Sequence, residues 1–302
     1  MNGILVIYKE AGYTSHDVVA RLRGILKQKK IGHTGTLDPD AMGVLPVCLG
    51  NATKLCDMVA GGGKEYKARM LLGVTTDTQD MSGRVLSRSD IRVSYDEIET
   101  AVMSFVGGYE QVPPMFSALK IGGKRLYELA RMGREVERAP RHVEISDIKI
   151  LDINLPRVSF TVECSKGTYI RSLCADIGDM LGCGAAMQEL TRLRVGQYKI
   201  ADALTLSEVE ELADKEMLEK HIIPIDSLFE DYYGATVRED AKKTLLNGNK
   251  LYPYQLDIDN ENHHFIRGDL LRVYLDNPLG DRELKAVYCY DGGCFKPYKM
   301  FL

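Results

Sequence analysis

The sequence predicts an α+β fold: a mixed, mostly antiparallel central sheet with helices on its faces, and a small β-barrel appended. Three observations carry that expectation. Strand and helix patterns are interspersed over residues 1–234 with no internal repeat. Glu144 to Leu155 and Arg157 to Ser165 read as consecutive strands. Beyond residue 234, short apolar runs are separated by turn signals at Asn247-Gly248, Asp259-Asn260 and Gly292-Gly293, a spacing that suggests a small barrel.

The elements follow in order. Gly3 to Tyr8 is a continuous apolar run, read as a buried strand. Ser15 is a candidate cap for a helix whose apolar stripe is Val18, Val19, Leu22, Ile25 and Leu26. A short strand is expected through Val47, Cys48 and Leu49, and Lys64 to Val74 alternates like a half-buried strand. Ser94 and Glu97 form a capping box ahead of Ile98, Ala101, Val102 and Phe105, and Gly107-Gly108 is expected to end that helix. Pro113-Pro114 then breaks regular structure, and residues 115–142 read as an insertion that projects from the body. Thr168 to Leu181 is an amphipathic helix, with Ile170, Leu173, Cys174, Ile177 and Leu181 inward. Ser207 with Glu210 suggests a second capping box, and a last helix is expected over Glu239 to Leu246. The domain boundary is placed at residues 234 and 235.

Between the first helix and the short strand lies the most informative segment, Gly32 to Pro46. Gly32, Gly35 and Gly43 admit backbone angles that other residues resist, and Pro39 and Pro46 fix theirs. Asp38 sits at its centre and His33 on one arm. A stiff loop presenting one carboxylate suits covalent or electrostatic catalysis. Asp38-Pro39 equally reads as a helix start, with Asp as N-cap and Pro in the first turn, so both readings are open.

Composition sets wide bounds. The 302 residues, 45% hydrophobic and 27% charged, suit an ordinary soluble protein of one or two domains. No apolar run is long enough to cross a bilayer, and the N-terminus lacks the layout of a signal peptide. The seven cysteines contain no C-x-x-C pair, so neither a disulfide framework nor a zinc site is indicated and a cytoplasmic location is expected. The formal net charge of −4 hides a strong asymmetry. Lys120, Lys124, Arg125, Arg131, Arg134, Arg138 and Arg141 crowd the insertion, whereas Glu208, Glu210, Glu211, Asp214, Glu216 and Glu219 crowd a later stretch. Counterion release from a nucleic-acid backbone depends on the local basic surface, so the acidic total does not exclude RNA.

Several blocks combine small, basic and aromatic residues: Lys9 to Ser15, Lys64-Glu65-Tyr66, Lys166 to Arg171, and Leu190 to Gly196. Together with Gly32 to Pro46, Leu72 to Thr78 and Val112 to Lys120 they follow the order of one set of motifs. On these motifs the chain resembles the TruB family of bacterial tRNA pseudouridine synthases over almost its whole length. It departs at Glu10, where the family usually carries proline. The C-terminal segment is similar to a PUA domain, more loosely, through Asn247-Gly248, Arg272-Val273-Tyr274 and Lys296 to Phe301.

The resemblance implies conversion of uridine 55 in the tRNA T loop to its C-glycoside isomer, without cofactor or metal. It implies a catalytic set of Asp38, Tyr66 and Arg171. It sets Asp38 at the sugar, either adding to it or stabilising charge, with Arg171 beside it reinforcing its ionised form. It has Tyr66 stacked on the base or serving as a general base, stacking being weighted above proton transfer. His33, Tyr169, Leu190 and Lys9 are the implied substrate-binding residues, His33 taking the space of a flipped-out base. Lys120, Lys124, Arg125, Arg131, Arg134 and Arg141 would grip RNA phosphates. The expected partner is tRNA, through its T-arm and acceptor end, with neither a membrane nor an obligate protein partner. The rivals are an RNA-folding protein with incidental catalysis, and a glycosidase. Glycosidase chemistry calls for a second carboxylate, and Asp40 is too close in sequence to Asp38 for that role.

Overall fold

The computed structural model describes residues 1–260, 263–277 and 281–302. Its strands are β1 (Gly3–Lys9), β2 (Ile31–His33), β3 (Met42–Leu49), β4 (Lys64–Leu72), β5 (Val74–Thr76), β6 (Val85–Arg88), β7 (Gly107–Gln111), β8 (Lys120–Ile121), β9 (Lys124–Arg125), β10 (Arg141–Asn154), β11 (Arg157–Cys164), β12 (Ala185–Val195), β13 (Tyr198–Lys199), β14 (Tyr233–Val237), β15 (Leu256–Ile258), β16 (Leu270–Asp276), β17 (Arg282–Tyr290) and β18 (Phe295–Met300). Its helices are α1 (Ser15–Ile25), α2 (Cys56–Val59), α3 (Tyr95–Met103), α4 (Leu126–Arg131), α5 (Ile170–Met180), α6 (Leu206–Asp214) and α7 (Lys242–Leu246).

Nine strands build the main sheet in the order β1-β3-β12-β4-β11-β10-β7, with β2 on β3 and β13 on β12. Only β3 and β12 run parallel, so the sheet is mixed and mostly antiparallel, as expected. The alternation in β4 buries Lys64, Tyr66, Ala68, Met70 and Leu72 on one face. That face joins Val158, Phe160 and Val162 of β11 beneath α3 and α5 in the largest core cluster. A second core lies where α1 and α6 cover β1 and β3.

Sequence signals marked most elements and misplaced several ends. Thr14, not Ser15, caps α1, in a capping box with Asp17. Thr205 with Glu208, not Ser207 with Glu210, caps α6. In both cases a hydroxyl further upstream reaches the N3 amide first. Gly107-Gly108 opens β7 rather than ending α3, which stops at Met103. Helix α5 is shorter than Thr168 to Leu181, because Tyr169 is its cap. Strand β3 runs through Pro46, which falls between the residues paired with β12 (Met42, Gly43) and those paired with β2 (Val47 to Leu49). The sequence over Glu239 to Leu246 splits into a 3-10 turn and α7.

The C-terminal unit is a five-stranded sheet in the order β15-β14-β16-β17-β18, not the closed barrel expected. Among the described residues its edge strands β15 and β18 do not pair; only Leu251, ahead of β15, bridges Phe295 of β18, which is too little to close the sheet. The sheet is joined to the main body by a shared apolar cluster holding Ile4, Phe229, Val287 and Phe301. Asn51 Nδ2 donates to Phe301 O at 2.6 Å and Lys54 Nζ to Met300 O at 2.8 Å across the same join. Among the described residues no helix is long and apolar enough to cross a membrane.

Candidate active site

The Gly32 to Pro46 segment is a braced loop, and Asp38 caps no helix. Ala41 N donates to Asp38 O at 3.1 Å, closing a turn over Pro39 and Asp40. Leu37 and Ala41, on either side, are buried in the main core. Ser15 is free of the capping role and turns inward, where its Oγ accepts from Leu37 N at 3.0 Å. Lys9, wholly buried, donates from Nζ to Pro39 O at 2.8 Å, Tyr13 O at 2.5 Å and Glu10 O at 3.0 Å. Burial pushes its ammonium down to about 8. Of the three glycines, only Gly43 takes a left-handed angle, φ +102°, and a Cβ there would meet Arg192 O at 2.2 Å. Arg192, buried, donates from Nε to Val44 O at 2.7 Å and from Nη2 to Gly35 O at 3.3 Å, tying both arms of the loop to β12.

The braced loop presents Asp38 to a guanidinium. Arg171, in the first turn of α5 and only 6% exposed by side chain, sets Nε 3.0 Å from Asp38 Oδ2 and Nη2 3.3 Å from Asp38 Oδ1. Its Nη2 also donates to Phe116 O at 2.9 Å, and Nη1 to Thr78 O at 3.1 Å. Behind it stands Asp80, with Oδ2 3.4 Å from Nη1. The Asp38 side chain is 37% exposed, so it is open to a ligand. Burial pushes its carboxyl up from the ordinary aspartate value. Arg171 pulls it down and Asp80 pushes it up. Sequence reasoning expected the guanidinium to reinforce ionisation; desolvation by the braced loop outweighs it.

Asp38 and Arg171 lie in a cleft of about 390 Å³ whose walls include Tyr66, Phe116, Tyr127, Tyr169, Leu190 and Arg192. That is the size class of a small-ligand site. Asp38 is the sole acid among the described residues lining it, against Lys64, Lys166, Arg171 and Arg192. A second cavity of about 660 Å³ shares Asp38, Phe116, Tyr127, Arg171 and Leu190 as its wall and adds Asp40, Asp80 and Arg131. Tyr66 is 7% exposed and its phenol is pushed up by burial, with Arg192 pulling it back. Burial also raises the Tyr169 phenol and pushes the Lys64 ammonium down to about 8.

The structure therefore brings Asp38, Tyr66, Arg171, Tyr169 and Leu190 together. Lys9 and His33 are not on the cleft wall. Lys9 braces the loop from below. His33 packs edge-on to His16, with ring centres 5.1 Å apart, and its Nδ1 accepts from Gly35 N at 3.3 Å. Burial, with His16 beside it, lowers its pKa. Lys120, Lys124, Arg125, Arg131, Arg134 and Arg141 are all exposed. Arg138 is held instead, by Pro113 O at 3.2 Å and Glu135 at 3.2 Å. The insertion has its own small core of Met115, Leu126 and Leu129. It folds back so that Tyr127 lines both cavities, with the guanidinium carbons of Arg125 and Arg131 at 5.7 and 5.4 Å from its ring centre.

Sequence reasoning missed Asp80 and Arg192. Arg192 shares the face of Leu190 by strand alternation, which is the signal that could have found it. Asp80 lies just past the Leu72 to Thr78 motif in an irregular loop, where no periodicity points at a partner.

Comparison with known proteins agrees with this architecture. Residues 23–170 match the model of the TruB family pseudouridylate synthase N-terminal domain, and residues 171–230 that of the tRNA pseudouridylate synthase B C-terminal domain. The tRNA pseudouridine synthase B of Lachnoclostridium phytofermentans is 46% identical over 312 residues, covering 100% of both chains. That of Alkaliphilus oremlandii is 48% identical over 262 residues, covering 86% of this chain and 87% of the relative. Among solved structures, a chain of a Cbf5-Nop10-Gar1 complex superposes with TM-score 0.71 at 30% identity, covering 99% of this chain and 85% of that one. A chain of an H/ACA RNP bound to a substrate RNA containing 2′-deoxyuridine gives 0.69 at 28% identity, covering 99% and 85%. Fold and matched domains define a pseudouridylate synthase. The chain belongs to the TruB family of these enzymes.

Proposed function

We propose that the protein isomerises uridine 55 in the T loop of tRNA to pseudouridine. The observation that carries this reading is the Asp38–Arg171 fork, the one carboxylate in a cationic, tyrosine-walled cleft of nucleoside size. In this reading the target nucleoside leaves its stack, at a cost of a few kcal/mol. Its base lies against Tyr66, with Tyr169 and Leu190 completing the pocket, and base–aromatic stacking returns about 1–3 kcal/mol. His33 stands beside the loop to fill the vacated place in the RNA.

Asp38 meets the ribose, ionised and aimed by Arg171. The N1–C1′ bond breaks, the uracil turns within the closed pocket, and C5 bonds to C1′. The proton that leaves C5 is balanced by one gained at N1, so no electrons are exchanged and no group departs. In this reading Tyr66 acts by stacking, the role favoured for a phenol that burial raises from its ordinary value. Arg131 and Arg125, braced on Tyr127 at the rim, lead the phosphate backbone into the cleft. The C-terminal sheet, read as PUA-like, takes the acceptor end, and the free cysteines fit a reducing cytoplasm. A glycosidase reading lacks its second carboxylate in the cleft: Asp40, Asp80 and Glu189 line the adjoining cavity, with Asp80 engaged by Arg171 and Glu189 by Arg69.

The test is incubation of the purified protein with an unmodified tRNA transcript, followed by mass-spectrometric mapping of pseudouridine. Pseudouridine at position 55 is expected. None at all overturns the activity, and modification confined to other positions overturns the T-loop assignment.

A further inference from the structure

Gln111 is the last residue of β7, is 1% exposed, and carries no charge or nucleophile. Its amide is nevertheless fully engaged at the edge of the site. Oε1 accepts from the backbone N of Tyr169 at 2.8 Å, while Nε2 donates to the backbone O of the same residue at 3.0 Å. The second Nε2 hydrogen goes to the hydroxyl of Tyr109. Only one orientation of the amide satisfies both backbone groups, so the side chain is locked.

The residue so gripped is the cap of α5, which has no side-chain cap of its own. Two positions on, Arg171 presents its fork to Asp38. Three residues after Gln111 the chain passes Pro114 and then reaches Phe116, whose carbonyl accepts from Arg171 Nη2 at 2.9 Å. Gln111 thus stands where the root of the insertion and the start of the catalytic helix meet, and it faces the two segments that hold Arg171. The charged and titratable groups around it are Tyr109 on its own strand, Arg141 opposite it on β10, Asp176 of α5 at 3.5 Å from the Tyr109 hydroxyl, and Tyr169 itself.

We propose that Gln111 is a positioning residue for the reaction, its amide clamping the Tyr169 backbone and thereby setting where Arg171 meets Asp38. The inference rests on the activity proposed above and goes beyond it, because Gln111 touches no reacting atom. A buried carboxamide needs partners for both N–H donors and for its oxygen whatever its role; what sets Gln111 apart is that two of its three partners are the N and O of one cap residue. Paired bonds to both backbone groups of one cap residue fix its place and rotation.

Replacement by a carboxylate gives a decisive readout. In Gln111→Glu a neutral carboxyl can still accept from Tyr169 N and donate to Tyr169 O, whereas the ionised form can only accept and repels that carbonyl. Burial raises the pKa of such a group, so the clamp is restored as pH falls. The experiment measures single-turnover pseudouridine formation and tRNA affinity for the full-length wild type, Gln111→Glu and Gln111→Leu between pH 8 and 6. The expected result is a rate lowered about 100-fold for Gln111→Leu, the order of an ångström-scale misplacement, with tRNA affinity unchanged. For Gln111→Glu the rate relative to wild type should climb as pH falls and the carboxyl is neutralised, by at most about tenfold per unit. A glutamate variant slowed equally at every pH, a leucine variant with wild-type rate, or a loss residing in tRNA affinity overturns the clamp. If Gln111→Leu does not fold, the pH dependence of Gln111→Glu still decides. A wild type that forms no pseudouridine overturns the proposed function instead, and is seen before any variant is compared.

Discussion

Arg171 Nη1 lies 3.4 Å from Asp80 Oδ2, on the one guanidinium nitrogen that Asp38 leaves unused. The side chain is thereby held between two carboxylates of unequal standing. Asp38 is 37% exposed and lines the cleft, whereas Asp80 is 14% exposed and closed in by Thr78 and Ser82. Removing either acid has different consequences, and so does weakening the cation between them.

Asp38→Asn should abolish isomerisation while tRNA still binds. The amide keeps the shape of the carboxyl but cannot carry its charge or attack a sugar carbon. Tritium release from labelled uridine in tRNA reads the first effect and filter binding the second. Turnover retained in the variant removes Asp38 from the chemistry.

The acid limb of kcat/KM should lie above the range of an unperturbed aspartate, which titrates near about 3.9. Asp38 must be ionised, and burial raises its pKa, so protonation removes activity at a higher pH than an exposed aspartate would. Arg171→Lys should move that limb further up. Lysine offers a point charge without the fork, so less of the downward pull on Asp38 survives. The rate on the plateau should fall about 100-fold through lost alignment. A pH–rate profile of the two proteins checks both shifts.

Tyr66→Phe should retain most of the single-turnover rate, and Tyr66→Ala should lose about 1–3 kcal/mol of stacking, or roughly 5- to 150-fold. Burial raises the phenol from its ordinary value, which favours stacking, a role the phenylalanine ring keeps. Equal losses in the two variants would assign Tyr66 a role in proton transfer.

Much of this site could be read in the sequence, for a definite reason. Asp38 lies in a continuous run of special residues, and Lys166 to Arg171 marks a strand-to-helix junction, so local chemistry announces both. The period-two pattern of β4 places Tyr66 on the buried face, and its place at the site was implied by the family resemblance. What stayed hidden depends on contacts between distant segments. Ser15 reads as a cap, yet Thr14 takes that role and leaves Ser15 to hold Leu37, 22 residues away. Asp80 meets Arg171 91 residues along the chain. The closed barrel expected at the C-terminus turned on whether β15 and β18 pair, and turn spacing carries no information about that.

Charge reversal at Lys124, Arg125 and Arg131 should weaken tRNA binding and flatten its dependence on salt. All three are exposed, and two lie over Tyr127 at the mouth of the cleft. Each lost phosphate contact removes about 0.7–0.9 from the slope of log K against log salt, so the slope should fall by about 2–3. Fluorescence anisotropy with tRNA at several salt concentrations measures it. An unchanged slope means that the insertion does not touch phosphate.

Asp80→Asn should shift the acid limb in the direction opposite to Arg171→Lys. The Asp80 carboxylate raises the pKa of Asp38 by repulsion, so neutralising it lets Asp38 ionise at lower pH. The asparagine can keep the hydrogen bonds with Thr78 and Ser82 through its oxygen. It cannot oppose the charge of Arg171, so the guanidinium loses its rear anchor and aligns less well with Asp38. The plateau rate should therefore fall while the limb moves down, a combination that acid destabilisation does not produce, because it removes activity first at low pH and moves the limb up. A profile in which the limb of Asp80→Asn stays in place or rises would show that the Asp80 charge does not act on Asp38.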